Sequence, residues 1–352
     1  MAEPSFSSSA KNGIEPGHAL TASPTRESEA PQFPEPKPAA TQAGRDGIAR
    51  TVPETPWIDV MGGASRAQIN VLDHGFIALV DCMPRLVPQG QTVDAAIVQA
   101  ARVSYGHGTK KVNEDRGLIR YLLRHRHTTP FEMVELKFHV CMPIFVARQW
   151  IRHRTANVNE YSARYSILRD RFYTPNLDQV RKQSTANRQG GEELFRVHDD
   201  AQELKTAQDF VKYLEDVEGF YQRYLSLTEQ GVSREMARIG LPVNMYTEWY
   251  WKCDLHNTLR FLSLRIDSHA QAEIRAFAEA MLHLIEPLAP FTIEAWRDYD
   301  LGAMHLSRLE VEALRRMLSG VDASAAALTS DNSRERSEWA AKLEKLGAHI
   351  RG

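Results

Sequence analysis

The sequence predicts a fold that mixes β-strands with α-helices. Alternating apolar residues at 133–141 and an aromatic run at 245–251 are typical of strands. A long amphipathic pattern at about 200–230 is typical of a helix, and Gly231 follows it as a stop signal. The 352 residues are enough for one large domain or two small ones with an ample core.

The composition is that of an ordinary soluble protein. Charged residues make up 25% and the formal net charge is −2, so the chain as a whole does not attract nucleic acid or an anionic membrane. The three cysteines are widely spaced, which predicts no disulfide framework and suits a reducing cytoplasm. No apolar run approaches the length of a membrane span. We therefore expect a cytoplasmic protein with neither a membrane nor a nucleic-acid partner.

Residues 1–63 are predicted to be a disordered N-terminal tail. Nine of the 17 prolines lie at or before Pro56, among Ser, Thr, Ala and Glu. Such a segment cannot bury enough apolar surface to offset the entropy that ordering costs. Residues 64–300 are then the main folded domain, and 301–352 carry two accessory helices, near 305–318 and 333–346.

The first half of the domain is predicted to contain three strands and two helices. Turn residues at 73–75 separate two apolar runs, which is typical of two strands around a turn. Thr92 can cap the first helix, and an apolar stripe at 118–123 predicts the second. The elements are strands at 71–72 and 76–80, helices at 92–103 and from about 113, and a strand at 133–141. Residues 125–132 are predicted to close the second helix and to open that last strand.

The second half is predicted to be mostly helical. Pro143 suits the first turn of a helix that is predicted to carry Arg148 and Arg152, and also Gln149 and His153, at spacings of four residues. A strand begins near Glu160, and residues 172–198 are polar and irregular. Asp254 can cap a later helix. The long helix is expected to bury a stripe made of Phe210, Leu214, Phe220, Tyr221 and Leu225. The remaining elements are a short helix at 233–238, the strand at 245–251, and helices from 254 and from 267 to about 287.

Arginines are concentrated in residues 148–165. The stretch contains these arginines and His153 but only one acidic residue, Glu160, whereas a solvated helix face usually mixes its charges. Guanidinium groups suit phosphate and carboxylate oxygens. The stretch predicts an anion pocket for a ligand with more than one phosphate or carboxylate, and the alternative is a basic surface strip. The arginines are Arg148, Arg152, Arg154 and Arg164.

The order of residues in this stretch resembles the signature of the flavin-dependent thymidylate synthases. Arg152-His153-Arg154 is followed, after seven residues, by Ser162. Asn157 stands where the family usually has Ser, and Asn can also form hydrogen bonds. The family's other elements recur as His-x-Thr-Pro-Phe-Glu at 127–132, Arg-Glu-x-x-Arg at 234–238 and Arg-x-Asp-Ser-His-Ala-Gln at 265–271. The resemblance spans about residues 68–298.

This resemblance implies an α+β fold, in which helices flank a central antiparallel sheet, with residues 64–300 as the catalytic domain. It implies an FAD-dependent thymidylate synthase that makes dTMP from dUMP. FAD reduced by NADPH would supply the hydride, and 5,10-methylenetetrahydrofolate the one-carbon unit, without a cysteine nucleophile or a metal. The family works as a homotetramer with sites at subunit interfaces.

The resemblance also assigns roles to individual residues. Arg265 would be the catalytic cation that polarises the uracil, and Arg152 and Glu160 would lie between nucleotide and flavin. The other substrate-binding positions are Gln149, Ser162, Ala163, Arg164 and Arg238. The other cofactor-binding positions are Ser104, His127, Thr129, His153, Arg154, Asp254, His256 and Arg260.

Two other functions fit parts of the sequence. A nucleic-acid-binding protein could use the arginines of 148–165 with Trp150, Tyr161 and Tyr165 as stacking partners, although the near-neutral charge argues against a wholly basic face. A metal-dependent hydrolase could use three histidines, but no matching ligands follow at zinc spacing. These histidines are His125, His127 and His153.

Overall fold

A central antiparallel sheet organises the part of the chain that the computed structural model describes, residues 57–103, 115–185, 190–319, 328 and 330–346. Its five strands are β2 (Ala67–Val71), β3 (Gly75–Met83), β5 (Glu135–Pro143), β6 (Asn157–Glu160) and β9 (Tyr246–Asp254). Their order is β2-β3-β5-β9-β6, and every neighbouring pair is antiparallel. Two smaller antiparallel pairs join β1 (Trp57–Asp59) to β4 (Leu86–Pro88) and β7 (Arg181–Gln183) to β8 (Gly191–Leu194).

Helices flank this sheet, as the α+β prediction requires. The predicted helices near 92–103, 113, 200–230, 254, 305–318 and 333–346 are all confirmed. The helix predicted from 267 is also present, but it begins at Ala272, and residues 267–271 precede it. None of the described helices is both long enough and apolar enough to cross a bilayer. The helices are α1 (Asp94–Val103), α2 (Asp115–Arg124), α3 (Thr129–Glu132), α4 (Ile144–Trp150), α5 (Ala201–Glu229), α6 (Arg234–Ala237), α7 (Leu255–Arg265), α8 (Ala272–Ile285), α9 (Pro290–Trp296), α10 (Arg308–Leu318) and α11 (Ser333–Lys345).

The β2–β3 hairpin depends on a glycine. Gly75 begins β3, and a Cβ atom added there would lie 2.6 Å from the carbonyl oxygen of Val71 and 2.9 Å from that of Cys141. Because no side chain tolerates such distances, the close approach of three backbone segments requires glycine. The hairpin sets β3 beside β5, with Leu79 opposite Phe138.

The main hydrophobic core lies between the sheet and helices α4, α7 and α8. Trp150, at the end of α4, is completely buried. Its ring stacks on Phe261 of α7 at 4.6 Å between centroids and meets Trp249 and Trp251 of β9 edge-on, each at 5.8 Å. Phe277 of α8 closes the cluster at 6.3 Å. Aromatic pairs in these geometries stabilise a core beyond the area that they bury.

Three predicted boundaries near the signature are wrong. The helix that starts after Pro143 ends at Trp150, so Arg152 and His153 lie beyond it. The strand predicted to begin near Glu160 is β6, which ends there because Glu160 is its last residue paired with β9. The 125–132 segment was predicted to open the next strand, but its last four residues form the short helix α3, with a proline in its first turn, and β5 begins at Glu135.

The predicted buried stripe of the long helix is also partly wrong. Phe210 and Phe220 are 41% and 51% exposed, whereas Tyr221 and Tyr224 are buried. Tyr221 donates a hydrogen bond to the carbonyl oxygen of Leu168 at 2.6 Å. The buried residues of α5 are Ala207, Tyr221 and Tyr224, so the two phenylalanines are not part of its buried stripe.

The predicted tail is too long at its C-terminal end. Residues 57–59 form β1, because their backbone pairs with β4 and the carboxylate of Asp59 accepts a hydrogen bond from Arg85 at 3.0 Å. The rest of the predicted tail, residues 1–56, lies outside the described residues. The segment at 172–198 was predicted to be irregular, but it contains the β7–β8 pair. Its polar residues gave no alternation from which strands could be predicted.

Candidate active site

The half-buried guanidinium of Arg265 is the centre of the candidate site. Arg265 is the last residue of α7, a helix that Asp254 caps by accepting a hydrogen bond from the amide of Asn257 at 2.8 Å. Its Nε donates to Nε2 of His153 and its Nη2 to the carbonyl oxygen of Gln149, both at 3.1 Å. Burial lowers the pKa of Arg265. In the described ranges it forms no ion pair with a carboxylate, so its charge is available to an anionic ligand.

The imidazole of His153 is held neutral beside this cation. Burial, followed by the positive charges of Arg265 and Arg260, lowers the pKa of His153 to about 4. Because Nε2 accepts the hydrogen bond from Arg265, the proton of the neutral ring is on Nδ1. The ring meets Phe261 edge-on at 4.9 Å between centroids. His153 therefore orients the guanidinium without adding charge.

Gln149 joins the Arg265 group to the start of α8. Its side-chain Nε2 donates to Oε1 of Gln271, the residue that precedes α8. We did not predict Gln271 as a site residue, although it is the last position of the Arg-x-Asp-Ser-His-Ala-Gln element. Its place in that motif was the signal that could have identified it.

A second group of residues surrounds Arg164. Its Nε lies 3.0 Å from Oε2 of Glu235, and its backbone amide donates to the hydroxyl of Ser162 at 3.3 Å. Arg234 donates to the carbonyl oxygen of Tyr165 at 2.6 Å. An open cavity of about 630 Å³ lies here, and its lining includes Arg164, Tyr165, Arg234 and Glu235. Glu235 is a further partner that we did not predict, and it lies inside the Arg-Glu-x-x-Arg element.

The predicted ligand-binding residues thus fall into two groups. Gln149, His153 and Arg265 form one, and Ser162 and Arg164 form the other, next to buried Ala163. No hydrogen bond or ion pair joins the two groups within the described ranges. The sequence had suggested one continuous arginine pocket over 148–165, but α4 ends and β6 intervenes between the groups.

The remaining predicted cations are exposed to solvent. Arg152, Arg154, Arg238 and Arg260 are all exposed, and none forms an ion pair in the part of the chain described here. Glu160, also exposed, accepts a hydrogen bond from Thr247 at 2.8 Å. Exposed, unpaired guanidinium groups are suited to phosphate oxygens.

The other predicted cofactor positions lie on two neighbouring elements. His127 and Thr129 are exposed in the turn before α3 and at its first residue, and α3 packs against α7. Asp254 and half-buried His256 lie at the start of α7, where the carboxylate of Asp254 serves as the helix cap. Ser104 lies outside the described residues.

The two alternative functions find little support in the geometry. Trp150 is in the core and cannot stack on a base, which leaves Tyr161 and Tyr165 from the predicted strip. His153 packs on Phe261, whereas His125 and His127 lie in the turn after α2 with ring centroids 6.4 Å apart. Among the described residues no group of three or more His, Cys, Asp or Glu is placed to hold a metal ion.

The three cysteines are all in the interior of the described chain. Cys82, Cys141 and Cys253 are all buried and unpaired. Burial raises the pKa of Cys82 to about 11 and those of Cys141 and Cys253 to about 12. All three are therefore thiols near neutral pH, whereas the thiolate is the reactive form.

A larger cavity of about 870 Å³ lies between the β7–β8 pair, α5 and residues 268–275. Phe145, Tyr173 and Phe210 contribute to its apolar wall, and Gln271 is part of its lining. None of the predicted site residues lines this cavity. We therefore place the candidate active site at Arg265 and not in the larger cavity.

Known proteins share this sequence and fold. A family profile described as "Thymidylate synthase complementing protein" matches residues 85–291. The flavin-dependent thymidylate synthase of Dictyostelium discoideum is 56% identical over 306 residues, covering 87% of this chain and 96% of that protein. That of Gluconobacter oxydans (strain 621H) is 50% identical over 297 residues, covering 82% and 91%.

Solved structures agree with the sequence relatives. The crystal structure of a UMP/dUMP methylase, PolB from Streptomyces cacaoi, bound with 5-Br dUMP, is 33% identical in sequence with a TM-score of 0.55. It matches 66% of this chain and 98% of PolB. The region that the family profile matches includes both Arg164 and Arg265. The chain belongs to the family of flavin-dependent thymidylate synthases, which are methyltransferases.

Proposed function

We propose that this enzyme converts dUMP to dTMP, with 5,10-methylenetetrahydrofolate as one-carbon donor and FAD, reduced by NADPH, as hydride source. The observation that carries the proposal is the half-buried Arg265, which lacks a carboxylate partner in the described chain and lies beside a neutral His153. The names of the relatives and the 5-Br dUMP bound to PolB support the flavin and the nucleotide.

Arg265 activates the uracil in this proposal. Methylation at C5 requires that carbon to become nucleophilic, and negative charge then develops on the ring oxygens or N3. A preorganised cation at that position is worth roughly 3–4 kcal/mol of transition-state stabilisation. His153 and the carbonyl oxygen of Gln149 hold the guanidinium in one orientation before substrate arrives.

The nucleotide phosphate would bind to Arg164 and Arg238. Ser162, the backbone at Ala163 and the side chain of Gln149 would add hydrogen bonds. Arg164 is paired with Glu235, so the phosphate has to displace a carboxylate. Both side chains are more than half exposed, and an ion pair of this kind is weak enough to be exchanged.

FAD would be held by the exposed cations and the turn before α3. The unpaired guanidinium groups are hydrogen-bond donors with positive charge, so they fit the diphosphate of FAD. When bound, FAD supplies the hydride. Arg152 and Glu160 would separate flavin from nucleotide. The residues that would contact FAD are Ser104, His127, Thr129, Arg152, His153, Arg154, Glu160, Asp254, His256 and Arg260.

Two subunits, or more, would complete one site. The Arg265 group and the Arg164 group lack a direct contact in the described chain, and exposed phenylalanines on α5 offer an apolar face. A homotetramer with sites at its interfaces would bring the groups of different subunits together. We also infer that no cysteine acts as nucleophile, because the three thiols are buried, and that the protein resides in a reducing cytoplasm.

The decisive experiment follows the visible absorbance of the purified protein anaerobically while NADPH is added, with dUMP, with UMP or without nucleotide. We expect a flavin band that bleaches, at a rate that dUMP alters. Methylenetetrahydrofolate is then added and dTMP measured. A protein that takes up no FAD contradicts the proposal, and tight binding of single-stranded DNA would favour the alternative function. The comparison of UMP with dUMP tests whether the enzyme accepts ribose as well as deoxyribose, since PolB is a UMP/dUMP methylase.

A further inference from the structure

Helix α11 docks on α2 through ion pairs that are largely buried. Nε and Nη2 of Arg120 donate to the two carboxylate oxygens of Glu335 at 2.7 and 3.2 Å, and Glu335 is only 5% exposed. Arg124 donates to both oxygens of Glu338, one of them at 2.9 Å. Arg120 also donates to Glu294 and Asp298, at 2.8 and 2.7 Å, whereas the carboxylate partners of Arg124 in the described chain are both on α11. Because a buried charge without its partner is strongly destabilising, Arg124 in particular requires this C-terminal helix.

Glu338 also reaches the turn that follows α2. Its Oε1 lies 3.2 Å from Nε2 of His125, the first residue after the helix. Chiefly because of the hydrogen bond from Arg124, the pKa of Glu338 is lowered to about 2, so it is an anion at neutral pH. One carboxylate therefore holds the end of α2 and the start of the turn together.

Contacts continue from this turn to the proposed flavin site. The amide of His127 donates to the carbonyl oxygen of Leu122 at 2.9 Å, and Arg126 between them has a φ of 58°. The ring of Tyr121 lies 4.3 Å from that of His125 and 5.9 Å from that of His127. Since left-handed backbone at a residue other than glycine is costly, surrounding contacts have to maintain it.

We infer that Glu338 is a positioning residue for the flavin site. By holding Arg124 and His125, it fixes the turn at 125–128 and so presents His127 and Thr129 in one orientation. The identity of the ligand rests on the proposed function, but the effect on the turn does not. Glu338 lies beyond residue 291, where the match to the family profile ends. The contacts that hold the turn therefore come from outside the matched region.

Hydrogen–deuterium exchange of the ligand-free, full-length protein tests this effect directly. Glu338→Ala is compared with Glu344→Ala, which removes the same charge from an exposed position of α11 that has no ion pair in the described chain. Alanine favours the helix in both variants. We expect about tenfold faster exchange at residues 125–129 in Glu338→Ala alone, with unchanged exchange in β9. Equal exchange in the two variants would overturn the inference, and so would faster exchange throughout Glu338→Ala, which would indicate only general stabilisation.

Flavin affinity supplies the second readout. Wild type, Glu338→Ala and Glu344→Ala are titrated with FAD under identical conditions. We expect affinity about fivefold weaker in Glu338→Ala and unchanged in Glu344→Ala. Equal affinities in all three proteins would overturn the positioning role. A wild-type protein that binds no FAD would instead refute the proposed function, and the exchange experiment would then decide the inference about the turn.

Discussion

Nε of Arg265 donates a hydrogen bond to Nε2 of His153 across 3.1 Å. The pair consists of a cation and a ring whose pKa is lowered to about 4. Among the residues that the structure describes, no carboxylate forms an ion pair with this guanidinium. A hydrogen bond to a neutral acceptor fixes the direction of the cation and leaves its charge uncompensated. This is a suitable arrangement for stabilising charge that develops on a ligand.

Replacement of Arg265 by alanine should lower the rate of dTMP formation by about 10²- to 10³-fold, because one preorganised charge is lost. Flavin binding, measured by absorbance after gel filtration, should persist. The matched control is Arg308→Ala, which removes an exposed arginine of α10 paired with Glu312. Near-normal turnover in Arg265→Ala would contradict the assigned role.

The depressed pKa of His153 makes stability depend on pH. The unfolded chain binds a proton at His153 below about pH 6.5, whereas the folded chain does so only near pH 4. The contribution is therefore complete above pH 6.5 and falls as the pH drops towards 4. Between pH 7 and pH 5 it amounts to about 2 kcal/mol.

Urea titrations of wild type and His153→Gln at pH 7 and pH 5 measure this contribution. Other groups titrate equally in both proteins, so the difference between the two pH dependences belongs to His153. We expect a shallower dependence in the variant, by about 2 kcal/mol. Identical slopes would show that His153 titrates normally in the folded protein.

Removal of the carboxylate at Glu235 should tighten dUMP binding. The phosphate then no longer displaces a partner from Arg164, and an exposed ion pair of this kind corresponds to about a two- to fivefold change in affinity. Isothermal titration with dUMP compares Glu235→Gln with Glu229→Gln, which removes a charge from the same cavity without an ion pair to Arg164. Weaker binding in Glu235→Gln would mean that Glu235 contributes to the nucleotide site.

The exposed phenylalanines of α5 should control oligomeric state. Phe210→Glu or Phe220→Glu places a charge on a face that we expect another subunit to cover, and burying an unpaired charge is costly. Light scattering after size exclusion should show smaller assemblies and reduced dTMP formation. Met317→Glu on α10, an equally drastic change at an exposed position, should leave the assembly intact. A tetramer that survives both α5 substitutions would place the interface elsewhere.

Each cysteine should be dispensable for chemistry. Cys82→Ala, Cys141→Ala and Cys253→Ala remove only a small buried group, so thermal stability should fall modestly while kcat stays within a few-fold of wild type. Loss of activity of 10³-fold or more in one stable variant would reveal a nucleophile. Mass spectrometry for a nucleotide adduct would then identify the residue.

Much of the fold was predictable because local signals and tertiary structure agree. The hairpin before Phe76, the helix capped by Asp254 and the long helix ending before Gly231 all have turn or cap residues in the expected places. The end of α4 was not predictable, because Ile151 and Arg152 are as compatible with a helix as the residues before them. Tertiary contacts of His153 with Arg265 and Phe261 decide it.

The candidate site was predictable as a set of residue types but not as an arrangement. Motif order identified Arg265 and Arg164, yet it could not show that Arg164 pairs with Glu235. Nor could it show that Arg265 has no carboxylate partner among the residues that the structure describes. Partners from distant segments depend on packing, which residue spacing does not encode. For the same reason the sequence presented Trp150 as a possible stacking surface, although it is in the core.

The contacts of buried Trp150 affect how the protein responds to heating. The ring of Phe261 contacts both Trp150 and His153, so the core and the Arg265 group share this side chain. The site then cannot soften on heating while the protein around it remains intact. Loss of catalytic competence and collapse of tertiary packing should coincide in one cooperative transition, with no warm, inactive but folded state between them.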